Sequence, residues 1–360
     1  MTFETETVQY DAKSAVKSPP IAKRRTKKLN LALQGGGAHG AFAWGVIDRL
    51  MESGEVDIDS IVGTSAGAMN AAVAAYGLAT GGADGARKSL HDFWHAVSKA
   101  SASGPLQPTW WDKLMSPGNI DISPGYMMLD ALTRVMSPYQ LNPSNYNPLR
   151  DVLAKAVDFE TLRNAMKIKL FLCASNVRTG RIKVFDREQI TLDAVMASAC
   201  LPFLFQAVEI DGEAYWDGGY MGNPPLYPLI YHSEVRDILI VQLNPINIPE
   251  TPKTAQAILD RINTLSFNSS LIREMRAISF VTKLIDNGFD DGGRLKRMLI
   301  HTVEAEDVLS GFGASSKLNA DWDFLMRLFR LGRQRADYFL EHHFDMVGRE
   351  SSTRIDERFL

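Results

Sequence analysis

Residues 63–67, Gly-Thr-Ser-Ala-Gly, form a G-x-S-x-G run, and the chemistry such a run permits is nucleophilic. Small residues on both sides of the serine allow a sharp turn between an apolar strand and a helix. The Ser65 hydroxyl then stands clear of the chain with a helix N-terminus behind it. That setting favours attack on a carbonyl carbon and the negative charge that follows. Ser65 is the candidate nucleophile. A tight turn with an incidental serine is the plainer reading, and the strand before it and helix after it weigh against that.

Gly35-Gly36-Gly37-Ala38-His39-Gly40 follows the preceding apolar run. Consecutive glycines let backbone N–H groups converge on an anion, which in ester hydrolysis is the tetrahedral oxyanion. Gly35, Gly37 and Gly40 also satisfy G-x-G-x-x-G, but a dinucleotide fold wants an acid at the end of the second strand. Here that strand ends in Gly63-Thr64-Ser65, with Asp57 and Asp59 ahead of it. Asp217, in the turn Tyr215-Trp216-Asp217-Gly218-Gly219, is the best acid candidate. A desolvated carboxylate beside a serine hydroxyl acts as a general base because burial raises its pKa toward working pH. A backbone-capping Asp-Gly-Gly turn is the alternative.

A Ser-acid-His triad needs a histidine late in the chain. His342 and His343 lie in a charged helical tail and His232 in a helix before DILIVQL. Only His301 lies near a strand end, and MLIHTV reads more easily as a strand whose polar tip faces solvent. His91 and His95 resemble a helical ligand pair without a third ligand of partner spacing, so no metal is expected. Cys173 and Cys200, the only cysteines, lack disulfide or zinc spacing and suit a reducing, cytoplasmic setting.

Two strand–glycine turn–helix units position the chemistry. LNLALQ (29–34) leads through the glycine loop into a helix over 41–51 with Phe42, Val46 and Leu50 on one side, and IDSIVG (58–63) leads through Ser65 into an Ala-rich helix with no polar face. In a parallel sheet both turns emerge at the same edge. Apolar runs at 168–175, 181–185, 237–243 and 297–303 supply further strands. The pattern predicts a three-layer α/β/α sandwich with a mostly parallel central sheet. The uncharged stretch 61–83 carries Gly, Ser, Thr and Asn throughout and is read as buried strand, turn and helix, not as a membrane span. Leu271, Ile272, Met275 and Ile278, and later Leu318, Trp322, Leu325 and Phe329, follow helical spacing, and each stripe is assigned to the core, with a partner-binding face as the alternative. In the Pro- and Gly-rich segment 101–126 and just beyond it, Trp110, Trp111, Met115, Met127 and Met128 are read as packing over the sheet edge, with a lid or interfacial rim as the alternative.

The 360 residues are 45% hydrophobic and 22% charged, which excludes a disordered or disulfide-scaffold chain. Lys+Arg 39 against Asp+Glu 42 leaves a net charge of -3 and no basic field for nucleic acid. The first residues carry acids and no apolar stretch, so export by the usual signal is not expected. From Ala12 to Lys28 there are seven Lys and Arg and no acid. Residues 1–27 are read as a disordered basic tail, either merely solvated or drawn to anionic lipid at about 1 kcal/mol per basic residue.

LALQGGGAHGAF, GTSAG, ASACLPFLF and WDGGY, in this order and spacing, resemble the patatin-like phospholipase family over residues 29–230, and SFNSSLIREMRAI and GRQRADYFL resemble a bacterial cytoplasmic branch of it. The resemblance implies a patatin-like catalytic domain over 28–310 and a helical extension over 311–360 packed on it. It implies a Ser65–Asp217 dyad working without histidine, metal or cofactor. Gly35, Gly36, Gly37 and Ala38 would form the oxyanion hole, Gly63, Thr64, Ala66 and Gly67 the nucleophile elbow, and Gly218 and Gly219 the acid turn. Where the family more often carries Arg or Lys, this chain has His39. Its charge near the oxyanion would then depend on pH, unless it is a loop histidine bonded to a carbonyl, the preferred reading. The expected activity is hydrolysis of carboxylic esters in phospholipids or related acyl lipids through an acyl-Ser65 intermediate. The alternatives are a short-chain or polymer esterase and a catalytically weak lipid-surface binding protein. Peripheral contact with anionic membrane through the tail is the one further partner expected.

Overall fold

The computed structural model describes residues 25–360, apart from 103, 105, 249 and 290. Strand β1 (Lys27–Leu33) runs into α1 (Gly40–Ser53), and β2 (Val56–Thr64) into α2 (Ala66–Ala102), which bends at Gly82. Five helices follow: α3 (Trp110–Met115), α4 (Pro124–Thr133), α5 (Pro138–Leu141), α6 (Pro148–Ala156) and α7 (Phe159–Ala165). Then come β3 (Lys169–Asn176), β4 (Ile182–Phe185), α8 (Leu192–Ser198) and the hairpin β5 (Val208–Ile210) and β6 (Glu213–Asp217). The chain continues through α9 (Tyr227–His232), β7 (Asp237–Val241), α10 (Ala255–Asp286), β8 (Leu299–Val303), α11 (Glu306–Leu309), α12 (Trp322–His342) and α13 (Ile355–Arg358).

The strands form one sheet in the order β5-β6-β3-β2-β1-β7-β8, with β4 paired to β3. β3, β2, β1, β7 and β8 are mutually parallel, and β4 and β6 run antiparallel to β3. Both faces of the parallel strands are covered, which is why these strands read as continuous apolar runs without alternation. In β7, Leu239 and Val241 enter the core beneath α1, α2 and α12, while Ile238 and Ile240 enter the core shared with Leu271, Met275 and Ile278 of α10. The architecture is the expected α/β/α sandwich.

Three expectations change here. Residues 1–24 of the expected tail lie outside the described residues, but Lys27 and Lys28 open β1, and Lys27 Nζ donates to the carbonyls of Phe344 (2.9 Å), Asp345 (3.0 Å) and Val347 (2.9 Å). α1 is buried along nearly its whole length instead of on one side, because α2 and α12 close over it. Asp48 of α1 is accordingly buried, and it accepts Arg87 of α2 at 2.9 Å and Arg333 of α12. Finally, Trp110, Trp111, Met115, Met127 and Met128 do not pack over a sheet edge: all five are more than half exposed. No helix among the described residues is long and apolar enough to cross a membrane.

Candidate active site

Ser65 and Asp217 are brought together by the register of β3. Its Cys173 pairs with Thr64 at the end of β2, and its next residue, Ala174, pairs with Asp217 at the end of β6. β2 is parallel to β3 and β6 antiparallel, so the two strand ends converge on one point. Ser65 sits at φ 56, a left-handed conformation that costs a side-chain-bearing residue about 1–3 kcal/mol and marks a strained elbow. α2 begins at the next residue, and Ser198 Oγ accepts the Ser65 N–H at 2.9 Å. The Asp217 N–H is held by Cys200 O at 2.7 Å. The ASAC run thus anchors the backbones of both candidate residues.

Asp217 is fully buried. Its Oδ1 accepts the Gly219 N–H at 2.7 Å, and its Oδ2 is buried with no partner in full hydrogen-bond geometry. Burial pushes the carboxyl up to about 6, against the opposing pull of the neighbouring Ser65 hydroxyl, the Gly219 N–H and the Lys317 charge.

The glycine loop lies against the elbow: a Cβ on Gly35 would stand 2.6 Å from Ser65 Cβ. The Gly35 N–H already donates to Asn223 Oδ1 at 2.6 Å, so Gly35 is not an available oxyanion donor. The N–H groups of Gly36, Gly37 and Ala38 have no protein acceptor among the described residues, and all three residues line the cavity. The loop is fixed from below by buried amides. Gln34 Oε1 accepts the N–H groups of Leu243 (2.8 Å) and Asn244 (3.0 Å), and Asn244 Nδ2 donates to Gly35 O at 2.8 Å.

His39 bonds a hydroxyl, not a carbonyl. Its Nε2 lies 2.7 Å from Ser316 Oγ, whose own proton is directed at Gly313 O at 2.7 Å, so Nε2 is the donor. Burial, and then the charge of Lys317, push its pKa down to about 3. The imidazole is neutral at any working pH, and no pH-dependent charge sits on the loop. A cation is supplied from elsewhere. Lys317 Nζ donates to Asn244 Oδ1 at 2.8 Å, and Gly37, at φ 59, leaves room for the Lys317 carbonyl, which a Cβ there would meet at 2.2 Å. Burial pushes the Lys317 ammonium below the usual lysine range, and Asp260 and Asp217 draw it back up.

The sequence profile described as Patatin-like phospholipase matches residues 31–230. The chain belongs to the patatin-like phospholipase family. It is a lipid acyl hydrolase. No curated protein matches the chain. Among solved structures it is similar to VipD from Legionella pneumophila, at 17% identity over 88% of this chain and 67% of that one, with a TM-score of 0.43. It is also similar to ExoU from the type III secretion system of Pseudomonas aeruginosa, solved with SpcU, at 15% identity over 92% and 75% of the two chains and a TM-score of 0.32.

In this patatin-like chain Ser65 and Asp217 open onto a cavity of about 990 Å³ whose walls include Met69, Phe93, Trp94, Leu149, Leu204 and Phe205. That size and lining suit an acyl chain. His301 is remote from it, three strands from β2 in the sheet, which is about 14 Å at the usual strand spacing. Its expected solvent exposure is also overturned: it is fully buried, with Nε2 3.1 Å from Asp237 Oδ1 and Nδ1 2.9 Å from Ser352 Oγ. Sequence reasoning missed Lys317, Ser198, Asn223 and Asn244. Only Ser198 had a local signal, its place inside ASACLPFLF.

Proposed function

We propose that this lipid acyl hydrolase cleaves the carboxylic esters of phospholipids or related acyl lipids through an acyl-Ser65 intermediate, with Asp217 as the base. The observation that carries the reading is the β3 register that sets the strained Ser65 elbow and the fully buried Asp217 together on one apolar cavity; burial there raises the Asp217 carboxyl to about 6. The ionised carboxylate takes the hydroxyl proton as Ser65 Oγ bonds to the ester carbonyl carbon. The N–H groups of Gly36, Gly37 and Ala38 receive the oxyanion. The intermediate collapses as Asp217 returns the proton to the leaving alcohol, and water then repeats the sequence on the acyl-enzyme to release the acid. A serine-reactive phosphonate is expected to label Ser65 stoichiometrically, and a mixed lipid extract to yield free fatty acids. Labelling at another residue, or no acid released, defeats the assignment.

Lys317 is a positioning residue in this scheme, acting through the Asn244–Gly35 contact and through its charge on Asp217. The base must be ionised, so activity rises with pH through an acid limb near Asp217's value of about 6. Lys317→Met removes a charge that holds Asp217 down and should move that limb to higher pH, whereas Lys317→Arg should largely keep it. An unmoved limb in Lys317→Met would leave the lysine a purely structural role.

The basic N-terminal residues are proposed to add electrostatic attraction to anionic membrane. Removing residues 1–24 should spare hydrolysis of a soluble ester and weaken adsorption to anionic vesicles at low salt. That difference should fade near 0.1 M salt, where the screening length is about 10 Å. Equal adsorption of the two forms at low salt means the tail is only solvated.

A further inference from the structure

The segment between α2 and α6 buries little and turns most of its large apolar side chains outward: among its described residues only Asp112, Ile120, Ser123 and Pro138 are buried. In α3 the one buried residue is Asp112, whose Oδ2 accepts the Thr109 N–H at 2.8 Å and whose Oδ1 accepts the Ile122 N–H at 3.2 Å. Trp110, Trp111, Leu114 and Met115 point outward, with the two indole rings stacked at 3.8 Å. α4 has no buried residue although most of its side chains are apolar, and Met127 and Met128 are 59% and 60% exposed. Burial of hydrophobic groups cannot explain this arrangement in the isolated chain, since the expected ordering is inverted.

The same face continues onto α10. Arg134, just past α4, donates to Gln256 Oε1 at 2.8 Å. Beyond that contact Ile258, Leu259, Ile262 and Leu265 are exposed, while Ala257, Asp260 and Thr264 on the neighbouring stripe line the catalytic cavity. Tyr126 of α4 lines it as well. The exposed apolar face therefore borders the cavity that holds Ser65. Across residues 104–148 the only charged residues are Asp112, Lys113, Asp121, Asp130 and Arg134. Lys113 is paired to Asp321 at 2.8 Å and Arg134 to Asp130 at 3.0 Å. The face is close to neutral and suits an apolar, uncharged partner.

We propose that α3, α4 and the exposed stripe of α10 form a docking surface for a lipid bilayer, with Trp110 and Trp111 entering the acyl–headgroup boundary and the cavity opening onto the membrane. The occupant rests on the lipid acyl hydrolase reading, because the patch adjoins the cavity that must take an acyl chain out of a membrane. Amphipathic surfaces bury aromatic and aliphatic side chains at this boundary, and the indole ring is suited to it. Attraction here is hydrophobic, so it should survive high salt, unlike attraction by the N-terminal residues.

The test uses full-length protein, uncharged phosphatidylcholine vesicles and 0.5 M NaCl. Wild-type protein is expected to sediment with the vesicles and to have its tryptophan emission quenched by brominated acyl chains. The double variant Trp110→Ala/Trp111→Ala should adsorb at least about tenfold more weakly, as expected for withdrawing two large aromatic side chains. Its turnover of vesicle lipid should fall in proportion, with hydrolysis of a soluble ester unchanged. Met127→Ser/Met128→Ser on α4 should weaken adsorption independently, and Trp110→Phe/Trp111→Phe should restore most of it. Ser65→Ala should adsorb like wild type, so adsorption tests the surface even if the hydrolytic scheme fails. Adsorption unaffected by both the α3 and the α4 substitutions overturns the proposal. So does a face that instead mediates self-association, seen as an oligomer that the alanine variant dissolves and that does not bind vesicles.

Discussion

Ser65→Ala is expected to abolish hydrolysis of both vesicle lipid and soluble ester, a loss on the order of 10⁶-fold, the scale seen when a serine hydrolase loses its nucleophile. The elbow explains why nothing else can stand in. Ser65 is held at φ 56 where β2 ends and α2 begins, and its hydroxyl is the one placed beside the Asp217 carboxyl. Ser198, the other serine at the elbow, has its hydroxyl oxygen engaged by the Ser65 N–H at 2.9 Å. The alanine variant should keep its fold and lose phosphonate labelling. It should still adsorb lipid, which separates catalysis from binding. Retained turnover in the folded variant means another nucleophile is used.

The parts of this site that the sequence announces are those whose geometry is local. A glycine loop after an apolar strand, a G-x-S-x-G before an Ala-rich helix and an Asp-Gly-Gly turn each state their backbone requirement within a few residues. The parallel sheet was legible for the same reason, since strands buried on both faces cannot alternate. What escaped depends on distant partners. Gly35 loses its N–H to Asn223, and His39 is bonded by Ser316 and flanked by the rings of Phe312 and Phe324. The cation beside the loop is Lys317, in a segment whose sequence carries no mark of it. His301 reads as an exposed strand tip until residues 351–353 close over β8, where Ile300 N–H donates to Ser351 Oγ at 3.0 Å and Thr353 N–H donates to Ile300 O at 3.1 Å. The aromatic segment escapes because burial is the usual fate of tryptophan, whereas in α3 it is Asp112 that faces inward and the indoles that face out.

Asp217→Asn separates the two mechanisms open to a serine hydrolase and couples activity to stability with a definite sign. Asparagine keeps the shape and still accepts the Gly219 N–H, but it cannot take a proton, so the rate should fall at least 10² to 10⁴-fold. Stability should move the other way. The carboxyl is raised from 3.8 to about 6 on folding, so its ionised form costs the folded protein about 3 kcal/mol at neutral pH. That cost is absent below pH 4 and complete above pH 6. The melting temperature of Asp217→Asn should therefore exceed that of the parent at pH 7, and the gap should close as the pH falls through this window. His301→Ala should behave in reverse. Its imidazole joins Asp237 to Ser352, and removing it leaves buried polar groups short of partners, at about 1–3 kcal/mol. It should melt earlier and yet hydrolyse a soluble ester at nearly the parental rate, because His301 lies three strands from the nucleophile. In a Ser-His-Asp enzyme the histidine variant would be as inactive as Ser65→Ala, since triad members act as a unit. A folded but inactive His301→Ala, or a fully active Asp217→Asn, would each independently overturn the dyad.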